Sequence, residues 1–559
     1  MGEGSPAARG QPVIDLWYKN AVIYCLDVET FMDSDGDGVG DFRGLADRLD
    51  HVEDLGATCV WLLPFYPTPN RDNGYDITDF YGVDPRLGTL GDFVKFTHAA
   101  RDRGLRVIVD LVVNHTLIDH PWFQAARRDK NSKYRDWYVW SEEEPEDKNE
   151  GMVFPGVQDS TWTYDEEAGA WYMHRFYKHQ ADLNIANPAV REEIQKIVGF
   201  WLQLGVSGFR VDAVPFLIEY RGVEPPEGRE DPHRYLTELR DFIAWRKAEG
   251  VTVAEANITM DEADEYFGDG DRLHIIFNFL LNQRLFLALA RGEAEPLAGM
   301  LRELPAIPPT GQWATFLRNH DELDLGRLSD AERGEVFAAF GPEPDMQVYG
   351  RGLRRRLAPM LGGDARRLAM AHSLMFALPG TPMVWYGEEL GMGEDMSQPE
   401  RNSVRTPMQW DDEPPNAGFS TAPRERLVRP VISGGPFGFE AGVNVMAQRD
   451  APGSLMEHVQ LLIRTRRACP EIGWGECRVL DAGGPGVVAL AYEWQGNRLV
   501  TLHNLADRES QVRLDLGQGE GRLTPLLGDD GDRTRRDPAG PVRLAGYGYR
   551  WFRVDGERR

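Results

Sequence analysis

The sequence predicts an α/β protein built on a closed (β/α)8 barrel, with an inserted subdomain after the third strand and a C-terminal antiparallel β-sandwich. Three observations carry that expectation. Eight short apolar or β-branched runs alternate with helical patterns over the first ~450 residues, and eight βα units are what such a barrel needs to close. Polar residues gather where those strands end. Beyond ~450 the texture changes to short strands between Gly/Asp turns, the pattern of a separate all-β unit.

The first strand is read at 21–28, with a helix near 45–55 after it. The second strand, 58–63, precedes a helix near 90–103, and the third follows at 105–111. The remaining five are read at 208–214, 251–256, 274–279, 313–319 and 381–386, with helical sequence between. About 95 residues separate the third strand from the fourth, where a plain βα loop has roughly 2–6. That excess, rich in Trp, Tyr and acidic residues, predicts an inserted subdomain at 116–185, on the rim where barrel active sites lie. A second rim insertion is expected at 323–365, and its RGLRRRL run reads as a solvated helix face. The barrel then comprises 1–115 and 186–450. The sandwich occupies 451–559, opening with a helix at 455–469 and continuing in strands at 479, 487–492, 499–502, 512–514 and 547–552. The apolar stretch 368–386 contains His372 and Pro379-Gly380-Thr381-Pro382, so it reads as helix, turn and strand and not as a membrane span.

Composition narrows the function classes. Lys and Arg total 62 against 89 Asp and Glu, a net charge of −27. Such a field opposes nucleic acid and anionic membranes, whose binding rests on cationic side chains meeting phosphate. It tolerates a small neutral substrate or a cation. Four Cys in 559 residues are too few for a disulfide framework, so reduced thiols and a cytoplasmic location are expected. The opening MGEGSPAARGQP lacks the apolar core of a secretory leader. The motifs of Ser-His-Asp hydrolases, HExxH metalloproteases and P-loop enzymes do not occur.

The strand ends carry the chemistry. The third strand leads into DLVVNH (110–115), the fourth is GFRVDAV (208–214), the fifth leads into AEAN (254–257), and the seventh into RNHDE (318–322). Arg210 and Asp212 are two apart on a strand and so face the same side. The loop after the second strand adds Arg71, Asp72, Tyr75 and Asp76. A packed core does not accept that many charges, so the convergence points to a site.

In this order and spacing the motifs resemble the α-amylase superfamily of retaining α-glucoside enzymes, glycoside hydrolase family 13, from Trp17 to about Asp411. NHDELDL (319–325), GLRRRLAPMLGGD (352–364), LGMGED (390–395), NSVRTPMQWD (402–411) and the stretch 159–184 are most similar to its trehalose synthase group. The resemblance implies Asp212 as nucleophile with Arg210 beside it, Glu255 as proton donor, and Asp321 as the carboxylate gripping the 2- and 3-hydroxyls. It implies His115 and His320 as sugar-hydroxyl ligands, Asp72 with Arg401 as a charged pair capping the terminal glucose, and Tyr75 stacked on its ring. Such a site is a blind pocket for one glucosyl unit.

Asp33, Asp35, Asp37 and Asp41 offer oxygens at alternating positions, as a loop around Ca²⁺ does, although Gly44 stands where an EF-hand has Glu. The loop resembles the single-metal loop of related glucosidases, with the Val39 carbonyl as a further ligand. A second Ca²⁺ site known in the group matches Asn114, Asp182, Glu219 and the carbonyls of Phe216 and Leu217. Both ions would be structural, and no organic cofactor is implied.

The leading expectation is isomerisation of maltose and trehalose by intramolecular glucosyl transfer, under an aromatic lid around Trp162 and Tyr164. The alternative is an exo-acting α-glucosidase, and a minor one a non-catalytic sugar-binding module. Three departures from the family pattern bear on this choice: Asp27 in the first strand, Ala181 in QADLN, and the segment 216–236 beside the acceptor side of the pocket. Homo-oligomerisation is left open.

Overall fold

The computed structural model describes residues 16–555 apart from 226, 229–230, 517–520, 530, 532–533 and 538–539, so the reading of the first twelve residues as lacking a leader's apolar core lies outside the described residues. All eight expected strands form. They are β1 (Ile23–Leu26), β2 (Cys59–Leu62), β3 (Arg106–Leu111), β4 (Gly208–Val211), β5 (Val251–Ala254), β6 (Ile275–Phe277), β7 (Gln312–Phe316) and β8 (Thr381–Trp385). Each pairs in parallel with its neighbours in the chain, and β8 pairs with β1 to close the barrel. Nearly every strand residue is buried, because helices cover one face and the filled barrel the other; this is why the strands read as continuous apolar runs.

The helices start where side chains can satisfy their free N–H groups. Thr89 and Asp92 form a reciprocal capping box on α1 (Leu90–Asp102), and Asn187 followed by Pro188 starts α2 (Pro188–Gln203). The helix α2 turns Ile194, Ile197, Val198 and Trp201 inward. Further on, α3 (Ala365–Ala377) precedes β8 as expected. Among the described residues no helix is long and apolar enough to cross a membrane.

Two long connections rise above the C-terminal ends of the strands. The β3–β4 connection contains a three-stranded sheet, and at its base His115–Leu117 pairs antiparallel with Gln180–Asp182. The β7–β8 connection contains a helix, Asp330–Phe340, and a small sheet that includes Gly352–Leu353. Here the expected solvated helix face is wrong. The RGLRRRL run is extended and its arginines are turned inward onto carbonyls and carboxylates: Arg356 is fully buried on Glu388 and the Tyr386 carbonyl, and Arg355 pairs with Glu394 at 2.8 Å. Four cations in a short run look solvated only until tertiary contacts supply their acceptors.

After helix α4 (Leu455–Arg467) comes an antiparallel sheet of five strands: β9 (Glu476–Val479), β10 (Val487–Trp494), β11 (Asn497–Asn504), β12 (Arg522–Gly528) and β13 (Tyr549–Asp555), ordered β9-β10-β11-β13-β12. One face packs on a two-stranded ladder, Ser510–Val512 with Val542–Leu544, around Val500, Leu502, Val512, Val542 and Phe552. The edge strand β12 has no counterpart in the sequence reading. Pro525 interrupts it and the register shifts there, which an edge position tolerates. The other face docks on the barrel through α3: Trp551 Nε1 and His503 Nε2 both meet Ser373 Oγ at 3.0 Å, and Tyr492 donates to the Ala377 carbonyl at 2.6 Å. Trp551 is completely buried at this junction. Trp551→Ala is therefore expected to cost about 3–5 kcal/mol, as emptied aromatic sites do. Guanidinium denaturation followed separately by near-UV and far-UV signals checks this, and a loss under 1 kcal/mol would show that the junction does not stabilise the barrel.

Candidate active site

Strand register assembles the site. In the ladder Asp110 of β3 sits opposite Arg210 of β4, and Val211 opposite Ala254 of β5. The next residues along, Asp212 and Glu255, therefore leave the barrel side by side. Arg210 is buried and bonds three carboxylates at once: Asp110 at 2.7 Å, Glu255 at 2.9 Å, and Asp212. Asp110 is held in turn by Trp61 Nε1 at 3.2 Å. One guanidinium touching Asp212 and Glu255 keeps them at short range; retaining chemistry needs about 5–5.5 Å, whereas inverting chemistry needs room for a water between. Ala213 follows with φ 49°, a left-handed conformation costing on the order of 1–3 kcal/mol for a residue with a Cβ, and its N–H donates to Glu255 at 3.1 Å.

A second charged cluster closes the opposite side. Asp321 receives Arg401 at 2.8 Å and Arg405 at 3.0 Å, with His320 Nε2 at 3.1 Å. Arg401 also reaches Asp72 at 3.2 Å, whose other oxygen accepts from Gln180 at 2.8 Å. The Tyr75 hydroxyl is 2.8 Å from His320 Nε2, with the two rings nearly parallel, and His115 Nε2 bonds the Tyr75 carbonyl at 3.0 Å. All nine residues expected at a sugar site thus meet. A narrow inner chamber of about 40 Å³ is bounded by eight of them and by Phe154 and Phe176; it adjoins an outer cavity of about 650 Å³ that includes Asn257, Glu322, Asp324 and Arg351.

Burial and charge set the protonation states. Burial pushes Asp212 up to about 6 against the pull of Arg210, leaving it mostly ionised at neutral pH. Burial raises Glu255 further, to about 7, with the Asp212 charge adding to the rise, so a proton is still available there. Burial also acts on Asp321, but the Arg401, Arg405 and Arg210 guanidiniums outweigh it and hold that carboxyl well below the usual range. Burial lowers His115 to about 4 and His320 well below its ordinary value, so both are neutral. Two carboxyls pushed apart in this way have the division of labour of a base and an acid.

Other expected residues fall differently. Asp33, Asp35 and Asp37 bring carboxylate oxygens within 4.8 Å of one another, a hard-oxygen set suited to Ca²⁺. Burial and the neighbouring Asp37 charge raise Asp35 above its ordinary value, as unneutralised neighbours do. Asp41 is not in that group; its carboxylate caps the helix Phe42–Asp47 through the N–H groups of Arg43 and Gly44 and also binds Ser34. The second set is joined by a guanidinium. Arg175 pairs with Glu219 and donates its backbone N–H to Asp182 at 2.9 Å, Asn114 Nδ2 lies 3.4 Å from Asp182, and the Phe216 carbonyl accepts from the Glu219 N–H; Leu217 ends the short helix Val214–Leu217. The donors therefore do not fit a second ion, because Arg175 already supplies the positive charge. The aromatic lid also lies elsewhere: Trp162 is buried with Val139 and Met173, Tyr164 is on the surface, and Phe154 and Phe176 line the chamber instead.

Sequence reasoning assigned no role to Asp110, Arg405, Gln180, Phe154 or Phe176. Asp110 and Arg405 were visible in the quoted motifs, but only the barrel register and the loop after β8 bring them to the carboxylates.

The α-amylase catalytic domain model matches residues 25–334 and 354–475, and a sucrose hydrolase-like C-terminal domain model matches 496–553. A trehalose synthase of Thermus thermophilus is 44% identical over 513 residues, 91% of this chain, which spans about half (52%) of that relative's length. The trehalose synthase/amylase TreS of Mycobacterium tuberculosis is 40% identical over 560 residues, covering 99% of this chain and 92% of that one. Among solved structures, the trehalulose synthase MutB of Pseudomonas mesoacidophila superposes with a TM-score of 0.77 at 25% identity, covering 98% of this chain and all of that one. An α-amylase from H. orenii gives 0.75 at 27% identity, covering 96% of this chain and 100% of that one. Fold, site geometry and these similarities agree: the chain belongs to the α-amylase family, glycoside hydrolase family 13.

Proposed function

We propose that this protein interconverts maltose and trehalose by intramolecular glucosyl transfer. The observation that carries the reading is the inner chamber itself, with Arg210 joining Asp212 and Glu255 on one side and the Asp72–Arg401–Asp321 cluster on the other. The chamber, opening into the larger cavity, would hold one terminal glucosyl unit against these carboxylates with the rest of the substrate in the outer space. Glu255 gives its proton to the glycosidic oxygen while the Asp212 carboxylate forms a bond to the anomeric carbon and the glycosidic bond breaks. Asp321, fixed as an anion, grips ring hydroxyls as positive charge develops. The freed glucose turns in the adjoining cavity and its anomeric oxygen attacks the same carbon; Glu255 takes up the proton and the ester to Asp212 breaks. The relatives named trehalose synthase support this reading over the α-glucosidase, in which water takes the place of the returning glucose. All three carboxylates in one site argue against a binding module. The four unbonded cysteines fit a reducing, cytoplasmic setting.

Maltose incubated with the protein and followed by anomeric-proton NMR should give more trehalose than free glucose, and Asp212→Asn should slow both by roughly 10⁴-fold or more. Glucose as the sole product would make the protein a hydrolase. The pH profile of kcat/KM follows from the two carboxyls: activity falls below about 6 as Asp212 takes a proton, and above about 7 as Glu255 loses one. A profile flat from pH 5 to 8 would contradict those assignments. We also propose Ca²⁺ at Asp33, Asp35, Asp37 and the Val39 carbonyl, as a structural ion tying this loop to the barrel. Chelation should lower the Tm and added Ca²⁺ should restore it, with Asp35→Asn blunting the recovery; a Tm indifferent to both treatments would leave a metal-free turn.

A further inference from the structure

The product choice depends on keeping water off the Asp212 ester while glucose turns, and three separate segments meet above that chamber. Phe154 and Tyr177 come from the β3–β4 connection, Tyr349 from the β7–β8 connection, and Glu400 from the loop after β8. Phe154 is 4% exposed and borders the chamber directly. Its ring stacks on Tyr177 with centroids 4.8 Å apart and leans on Tyr349 at 4.9 Å, and the Arg401 guanidinium lies 5.1 Å from its centre. A single oxygen of Glu400, Oε2, accepts hydrogen bonds from the Tyr177 hydroxyl at 2.7 Å and from the Tyr349 hydroxyl. Tyr349 and Glu400 both have positive φ, 55° and 45°, which residues with a Cβ keep only where surrounding contacts impose it. Arg351 adds one further tie between the two connections, donating to the Val153 carbonyl at 2.7 Å.

We infer that Glu400 is a positioning residue that, by clasping one tyrosine from each rim connection, holds Phe154 over the inner chamber and so sets the balance of isomerisation against hydrolysis. This rests on the isomerase reading above. Hydrogen bonds to an ionised carboxylate are the strong kind, and two on one oxygen cross-link loops that share no backbone ladder. When the clasp opens, Phe154 lifts and water reaches the ester. The water oxygen then bonds to the anomeric carbon, the bond to Asp212 breaks, the water proton passes to Glu255, and glucose leaves where trehalose would have formed.

The test uses Tyr177→Phe, Tyr349→Phe, the double variant, Glu400→Ala and Glu400→Gln. From maltose, the ratio of free glucose to trehalose is expected to rise about tenfold in the double variant and in Glu400→Ala, and less in each single tyrosine variant. Glu400→Gln keeps an accepting oxygen and should stay within about threefold of the parent. The kcat/KM for aglycone release from an aryl α-glucoside reports formation of the Asp212 ester, before water enters, and should change by less than about twofold, a split that general loosening of the fold would not produce. If Glu400→Ala does not fold, the tyrosine variants still decide. A parent that isomerises together with a double variant that keeps its ratio overturns the inference alone, as does Glu400→Gln leaking as much as Glu400→Ala. A parent that makes only glucose overturns the isomerase reading and this inference with it.

Discussion

Asp110, Asp212 and Glu255 are brought within hydrogen-bonding distance of one buried guanidinium, and the remainder of the site is arranged around that fact. Three carboxylates taken out of water would repel one another and take up protons; Arg210 lets them coexist at the mouth of an apolar barrel. Its hold is uneven. Asp212 stays mostly ionised near neutrality while Glu255, raised further by burial and by the Asp212 charge, keeps access to a proton. The strained backbone at Ala213 belongs to the same arrangement, since it turns an N–H onto Glu255 at the point where β4 must end.

The second cluster works by setting two guanidiniums on one carboxylate. Arg401 and Arg405 come from the loop after β8 and converge on Asp321 from β7's end, with Asp72 from the β2 loop opposite. Three segments distant in the chain are thereby tied to one another through ion pairs that also line the chamber. Stability of the rim and shape of the pocket thus depend on the same residues. The buried histidines serve differently: kept neutral by burial, they offer hydrogen bonds without adding charge beside the reacting carbon.

The barrel was legible because its strands are buried on both faces, which forces continuous apolar runs at intervals set by the helices between them. The charged residues at the ends of β3, β4, β5 and β7 were legible because barrel chemistry sits at strand ends, where a charge is conspicuous beside an apolar run, whereas Asp72, Tyr75 and Arg401 were legible only through the family resemblance. Three expectations failed for a shared reason. The arginines at 351–356 and the lid aromatics Trp162 and Tyr164 were judged from local pattern and the second metal set from resemblance, and neither carries information about what a loop folds onto. Strand β12, broken by Pro525, failed in the converse way: propensity argued against a strand that an edge position allows.

By itself, then, the sequence determined the architecture, because periodicity and strand-end composition are local properties that burial writes into the chain, and its motifs carried the resemblance that named the family and the charged groups. Tertiary structure alone decided which oxygen meets which nitrogen: Asp110 on Arg210 through strand register, Arg175 on Glu219 where a metal was expected, and Glu400 beneath two tyrosines from separate connections. Those pairings join residues from 44 to 223 positions apart, and their energies depend on mutual burial, which no single segment can encode.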